Sequence, residues 1–294
     1  QMGGLLVNTD LHCPEEGMEI ELLNGRGKIT LLEKHDSSGR SADVWIGKEE
    51  SGGELAVKIY RPTFDDGGLF NDSVDREALI SCSDNRVVVS ESRGIIRFSG
   101  ERWSHFLTMQ LIEGQRLDEH IKSGSLESGI RKHISKEIAC ALDSIHRCGY
   151  THGDINPGNI LFSEQDSSIH IVDLEFCLPL DFDHDEKKFK TLRGTPGYIA
   201  PEIQVHGIKA STPASDIWSL GFVIAEVLGG GRTDLDMDWR SQMKKQGMKS
   251  SILLDWGSGL GEEIDEFVRR CVIFDPRERV KLEELVAMME SHDF

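Results

Sequence analysis

The run His152-Gly153-Asp154-Ile155-Asn156-Pro157-Gly158-Asn159 gathers a carboxylate and two amides, and Asp173-Leu174-Glu175 adds two acids after Ile169-His170-Ile171-Val172. These residue types suit one kind of chemistry. An Asp near its ordinary pKa is a weak base whose main contribution is to orient a hydroxyl and take its proton late. An Asn amide oxygen and an Asp carboxylate are hard oxygen ligands of the kind Mg2+ prefers. Ile169 to Val172 alternate as a strand does, which sets Asp173 at the strand's end.

The run resembles the catalytic loop of protein kinases, usually His-Arg-Asp-Leu-Lys-Pro-x-x-Asn, and the triplet resembles Asp-Phe-Gly. The resemblance implies that Asp154 orients the acceptor hydroxyl and that Asn159 and Asp173 hold Mg2+, with Mn2+ an alternative. Three departures stand out. Gly153 replaces Arg, Asn156 replaces Lys, and Leu174-Glu175 replaces Phe-Gly. Asn156 can donate a hydrogen bond but brings no charge to the transferring phosphoryl group, so slower transfer or a compensating cation is expected. Glu175 is a candidate further metal ligand. Without the Arg at 153, a phosphate on the activation loop has no such partner, and Asp181, Asp183, Asp185 and Glu186 would repel one; activation-loop phosphorylation should not be required.

The elements that must position these groups are legible upstream. Leu55, Val57 and Ile59 alternate with Ala56, Lys58 and Tyr60, so Ala56 and Lys58 share one face of a strand. Ala56-Val57-Lys58 resembles the Ala-x-Lys strand that in kinases closes over adenine and binds the α and β phosphates. Asn71-Asp72-Ser73 offers a helix start ahead of Val74 to Ile80, and Glu77 matches the helix Glu that pairs with that Lys. Ser37 to Val44 occupies the place of the phosphate-covering loop, with Gly39 matching a family glycine and Val44 the residue that packs on the base. Phe106 to Gly114 resembles the last small-lobe strand entering the hinge, so Met109 would flank adenine and Gln110 to Ile112 would offer backbone hydrogen bonds to it.

Downstream, Ile130, Ile134, Ile138, Ala141, Leu142 and Ile145 recur at helical spacing and Gly149 stands where a C-terminal cap would end the helix. Ile264, Phe267, Val268 and Cys271 form a second amphipathic face. Gly194-Thr195-Pro196, Ala200-Pro201-Glu202 and Asp216-Ile217-Trp218 resemble the large-lobe motifs of Ser/Thr kinases. By that resemblance Thr195 bonds the catalytic Asp, His152 and Asp216 brace the loop, and Glu202 pairs with Arg279.

The fold implied is α+β, the bilobal protein-kinase-like fold, with residues 1–28 an extension or cloning remnant, 29–111 the β-rich N-lobe and 112–294 the helical C-lobe. With 294 residues and 38% apolar content the chain can bury such a core. A net charge of −18 argues against nucleic acid or an anionic membrane as partner. No run approaches the ~20 apolar residues that span a bilayer, which makes a cytoplasmic protein the expectation. Six cysteines lack C-x-x-C spacing and should be free thiols.

The expected partners are ATP and a protein or peptide carrying Ser or Thr. Two other readings stay open: a nucleotide-binding scaffold that has lost transfer, suggested by Asn156 and Glu175, and a phosphotransferase on a small molecule or biosynthetic precursor peptide. His-Gly-Asp with Asp-x-Glu also resembles the aminoglycoside and choline kinase type.

Overall fold

The structure is a computed structural model that describes residues 5–8, 13–22, 27–35, 41–61, 72–99, 102–181, 194–229 and 262–291. It divides into two compact units, Gln1–Ser81 with Val88–Glu113, and Cys82–Val87 with Gly114–Phe294. The first is built on a sheet and the second mainly on helices, the α+β organisation expected from the sequence.

In the first unit β1 (Leu5–Asn8), β2 (Glu19–Leu22), β3 (Gly27–Lys34), β4 (Ala42–Glu49), β5 (Glu54–Tyr60), β6 (Ser90–Phe98) and β7 (Arg102–Gln110) form one sheet in the order β1-β6-β7-β5-β4-β3-β2. The pairs are antiparallel except β1 with β6, which is parallel. Alternation decides which side faces the core. Trp45 of β4, Leu55, Val57 and Ile59 of β5, and Phe106 of β7 join Met18, Ile20, Ile29, Leu31, Ile96 and Phe98 in one apolar cluster. The opposite face of β5 carries Ala56, Lys58 and Tyr60. A short helix, α1 (Asp72–Glu77), precedes β6.

Residues 1–28, set apart as an extension in the sequence reading, contribute β1 and β2 to this sheet. Met18 and Ile20 are part of its core. Burying these side chains supplies the driving force that an isolated four-residue strand lacks.

In the second unit the chain runs through β8 (Gln115–Arg116), α2 (Leu117–Ser123), α3 (Ser128–Arg147), β9 (Tyr150–Thr151), β10 (Ile160–Phe162), β11 (Ile169–Ile171), β12 (Leu178–Pro179), α4 (Pro201–His206), α5 (Pro213–Gly229), α6 (Glu262–Cys271) and α7 (Leu282–Ser291). On α3 the predicted stripe is buried at Ile134, Ile138, Ala141, Leu142 and Ile145 and half-buried at Ile130 in the first turn, and Gly149 follows the helix at φ +89°, a conformation that suits glycine. Helix α5 is buried from Ser215 to Val227, as a helix apolar on nearly all sides should be. At Gly221 a Cβ would lie 2.6 Å from Cys271 Cβ, so glycine permits α5 and α6 to pack this closely. Phe267, Val268 and Cys271 are buried on α6.

Segment 82–87 belongs to this second unit although its neighbours on both sides in sequence belong to the first. Its bonds explain why. Ile171 N donates to Arg86 O at 2.7 Å, Arg86 reaches Glu137 of α3 at 2.9 Å, and Ser144 Oγ of α3 donates to Asp84 at 2.5 Å. All six cysteines are free thiols. Among the described residues no helix is long and apolar enough to cross a membrane.

Candidate active site

In the first unit the register of β4, β5 and β7 collects the expected nucleotide-binding residues on one face of the sheet. Val44 stands opposite Lys58, and Ala56 stands opposite Met109. Directly opposed residues share a face, and Ala56 and Lys58 share theirs by the period of two. Gln110 ends β7 with its side chain exposed, and Ile112 follows half-buried. Gly39 lies outside the described residues, as do Asn71, Asp183, Asp185 and Glu186.

Lys58 reaches the helix residue the sequence pointed to. Its Nζ donates to Glu77 Oε1 at 3.0 Å and to Oε2 at 2.8 Å, with Lys58 6% and Glu77 3% exposed. A third residue joins the pair. The Tyr60 hydroxyl donates to Glu77 Oε2, and Lys58 Nζ lies 5.1 Å from the Tyr60 ring centroid. The sequence places Tyr60 in the strand's alternation, and the signal for its further role is that it shares the Lys58 face while carrying a hydroxyl.

In the second unit α3 delivers the chain through Gly149 to β9, which pairs with β12. The following loop is fastened from below by Asp216, in the first turn of α5. Its Oδ2 accepts from His152 N at 2.8 Å, its Oδ1 accepts from Gly153 N at 2.9 Å, and His146 Nε2 lies 2.9 Å from Oδ2. Gly153 has φ +81°, and a Cβ there would approach Phe176 O to 2.7 Å. Glycine at this position is thus a backbone requirement.

Asn156 then caps the 3-10 turn Pro157–Asn159. Its Oδ1 accepts from Gly158 N at 2.9 Å, with Pro157 at the first helical position. Its Nδ2 donates to Asp154 O at 3.0 Å and to Thr195 Oγ1 at 3.1 Å. The sequence signal for this capping role is the Asn-Pro pair at 156–157.

The Asp154 carboxylate is held on both oxygens. Thr195 N donates to Oδ1 at 2.7 Å, and Oδ2 accepts from Thr195 Oγ1 and from Asn159 Nδ2, both at 3.1 Å. Asn159 Nδ2 also reaches Asp154 O at 2.9 Å, so its Oδ1 is the atom turned to other uses. Burial pushes the Asp154 carboxyl above its usual range, Thr195 and His152 oppose that rise, and the Asp173 charge adds to it.

Thr195 is in turn fixed through the segment that follows. Tyr198 OH donates to Glu226 of α5 at 2.9 Å and Ser219 Oγ of α5 donates to Tyr198 O at 2.8 Å. Beyond it, Glu202 and Arg279 form a two-pronged pair at 2.6 and 2.8 Å with the Arg279 side chain fully buried.

Asp173 follows the antiparallel pair β10 and β11, and Val172 N donates to Asn159 O at 2.9 Å, which ties two of the three candidate metal ligands, Asn159 and Asp173, together through the backbone. Asp173 has φ +64°, a left-handed conformation uncommon for a residue with a side chain and one that collects at functional sites. Glu175 lies in the 3-10 turn after it, half-buried. Among the described residues no group of three or more His, Cys, Asp or Glu side chains is arranged to enclose a metal ion. An amide oxygen beside carboxylates suits a hard cation that keeps water and phosphate in its shell.

Residues 37–289 match the protein kinase domain. The chain is 30% identical over 203 residues to the serine/threonine-protein kinase drp72 of Corynebacterium efficiens, covering 66% of this chain and 37% of that protein. It is 26% identical over 265 residues to a probable serine/threonine-protein kinase, KIN1 homolog, of Encephalitozoon cuniculi, covering 86% and 44%. It is 29% identical over 214 residues to serine/threonine-protein kinase PknA of Mycobacterium tuberculosis, covering 71% and 48%. The chain thus spans less than half the length of each of these three relatives. With the match extending across both units, the chain belongs to the protein kinase domain family.

Proposed function

We propose that this chain transfers a phosphoryl group from ATP to Ser or Thr hydroxyls of a protein, and that it does so without activation-loop phosphorylation. The observation that carries the reading is the Asp154 carboxylate, fixed by three donors from Thr195 and Asn159. Such a group can receive an acceptor hydroxyl in one orientation, and positioning is most of what the protein must supply in phosphoryl transfer. The names of the three relatives support the same class of acceptor.

In the first unit Lys58, held by Glu77, would bind phosphate oxygens, and in the second Asn159 and Asp173, with Glu175 as an added ligand, would hold Mg2+ or Mn2+. When bound, the metal supplies charge neutralisation for the phosphates. Asn156 holds Thr195 by a hydrogen bond and contributes no charge, which favours slow turnover.

Independence from loop phosphorylation rests on two features. At Gly153 there is no cation to read a phosphate, and the backbone there leaves no room for one. The Lys58–Glu77 pair is already formed. Phosphoamino-acid analysis of a generic basic protein incubated with labelled ATP and Mg2+ or Mn2+ tests the acceptor class, with phosphoserine or phosphothreonine expected. Transfer to a small amine or alcohol and none to protein would overturn it. Phosphatase treatment that abolished the activity would overturn the independence.

A further inference from the structure

The Lys58–Glu77 pair is buried, and removing two charges from water is costly unless further hydrogen bonds satisfy them. Tyr60 meets that need from both sides. Lying two residues beyond Lys58 on β5, it presents its ring to the ammonium at 5.1 Å and its hydroxyl to the carboxylate, and is itself only 4% exposed. Aromatic faces attract cations and a phenol donates a strong hydrogen bond to an anion, so both halves of the pair are engaged by one side chain.

Helix α1 makes this contribution matter. At six residues, Asp72–Glu77, it has too few internal hydrogen bonds to hold itself and depends on tethers to the sheet. Arg93 of β6 pairs with Asp75, while Lys58 and Tyr60 of β5 pair with Glu77. If Glu77 lost the Tyr60 hydroxyl, Lys58 alone among the described residues would hold the carboxylate.

We propose that the Tyr60 hydroxyl is a positioning group for nucleotide use: it fixes the Glu77 carboxylate so that Lys58 is presented to phosphate in one orientation. The inference rests on the reading of Lys58 given above. Tyr60 acts through Glu77 and need not touch the nucleotide.

Three variants test it: Tyr60→Phe, which deletes only the hydroxyl, Tyr60→Leu, which also deletes the ring, and Glu77→Gln. A positioning role predicts that Tyr60→Phe folds, lowers kcat/KM for ATP by roughly tenfold with KM for the acceptor unchanged, and adds less than about twofold in the Glu77→Gln background. A packing role predicts that Tyr60→Phe equals wild type while Tyr60→Leu is impaired. That result, equal losses in both Glu77 backgrounds, or a Tyr60→Phe protein that fails to fold would each overturn the proposal. If the wild-type protein transfers no phosphate, the functional reading fails by itself, and the same cycle read as the dissociation constant of Mg-ATP decides the role of Tyr60.

Discussion

Thr195 donates to both carboxylate oxygens of Asp154, by its backbone N–H at 2.7 Å and by its hydroxyl at 3.1 Å. The hydroxyl also accepts from Asn156 Nδ2, giving a directed chain from Asn156 through Thr195 to Asp154. On the proposed reading Asp154 works as an anion, yet burial raises its pKa against the pull of Thr195 and His152. Activity should be lost as pH falls through that raised value, placing the acid limb of the pH–rate profile above the ordinary Asp range. Thr195→Val removes a hydrogen bond that favours the anion, so the limb should move further up and kcat fall about tenfold, while Thr195→Ser preserves both. Steady-state rates across pH read the shift directly. For stability the sign is opposite: a raised folded pKa contributes fully below the unfolded pKa and is lost as pH rises through the folded one.

Gly153 should resist replacement. With φ +81° and Phe176 O at 2.7 Å from a would-be Cβ, Gly153→Ala should cost about 1–3 kcal/mol in denaturant unfolding. Gly153→Arg, which restores the family residue in sequence, should cost at least as much and should not make activity respond to loop phosphorylation.

Asn156 has two separable jobs. Asn156→Ala loses the cap on Gly158 N, about 1 kcal/mol of stability, and loses the bond to Thr195, roughly tenfold in kcat. Asn156→Lys should lose the same stability but keep a higher kcat than the Ala variant, because it returns a cation. Chemical denaturation alongside initial rates separates the two.

The Glu202–Arg279 pair is a folding element. Arg279 also donates to Ile273 O at 2.7 Å and Ala214 O at 2.7 Å, so Arg279→Ala strands several acceptors as well as Glu202 and should cost about 3–5 kcal/mol. Glu202→Gln keeps one of the two acceptors for the guanidinium and leaves the Arg279 bonds to backbone carbonyls in place, so it should cost less. Thermal melts of the two single variants check the order.

Residues with strong local chemistry were legible in the sequence. Alternation in β5 placed Ala56 and Lys58 on one face, the helical stripe of α3 led to the loop that carries Asp154, and the resemblance paired Glu77 with Lys58 and Thr195 with Asp154, the partners their hydrogen bonds have. Long-range partners outside the family motifs were not legible. Strand β1 pairs in parallel with β6, some ninety residues away by register from Leu5 to Gly94, and nothing in its four residues specifies that partner. Segment 82–87 carries no composition shift, and its place in the second unit comes from Asp84 and Arg86 meeting α3 and from the backbone bridge to β11. Tyr60 read as a strand residue because its hydroxyl has meaning only once Glu77 is beside it.

The most direct test is phosphate incorporation into protein from labelled Mg-ATP by wild type and by Asp154→Asn, measured side by side on folded samples. Wild type should label Ser or Thr, and Asp154→Asn should fall by at least about a hundredfold, since on the proposed reading the carboxylate that positions the acceptor is neutralised. Equal labelling by the two proteins, or no labelling by wild type while Mg-ATP raises its melting temperature, would contradict transfer centred on Asp154.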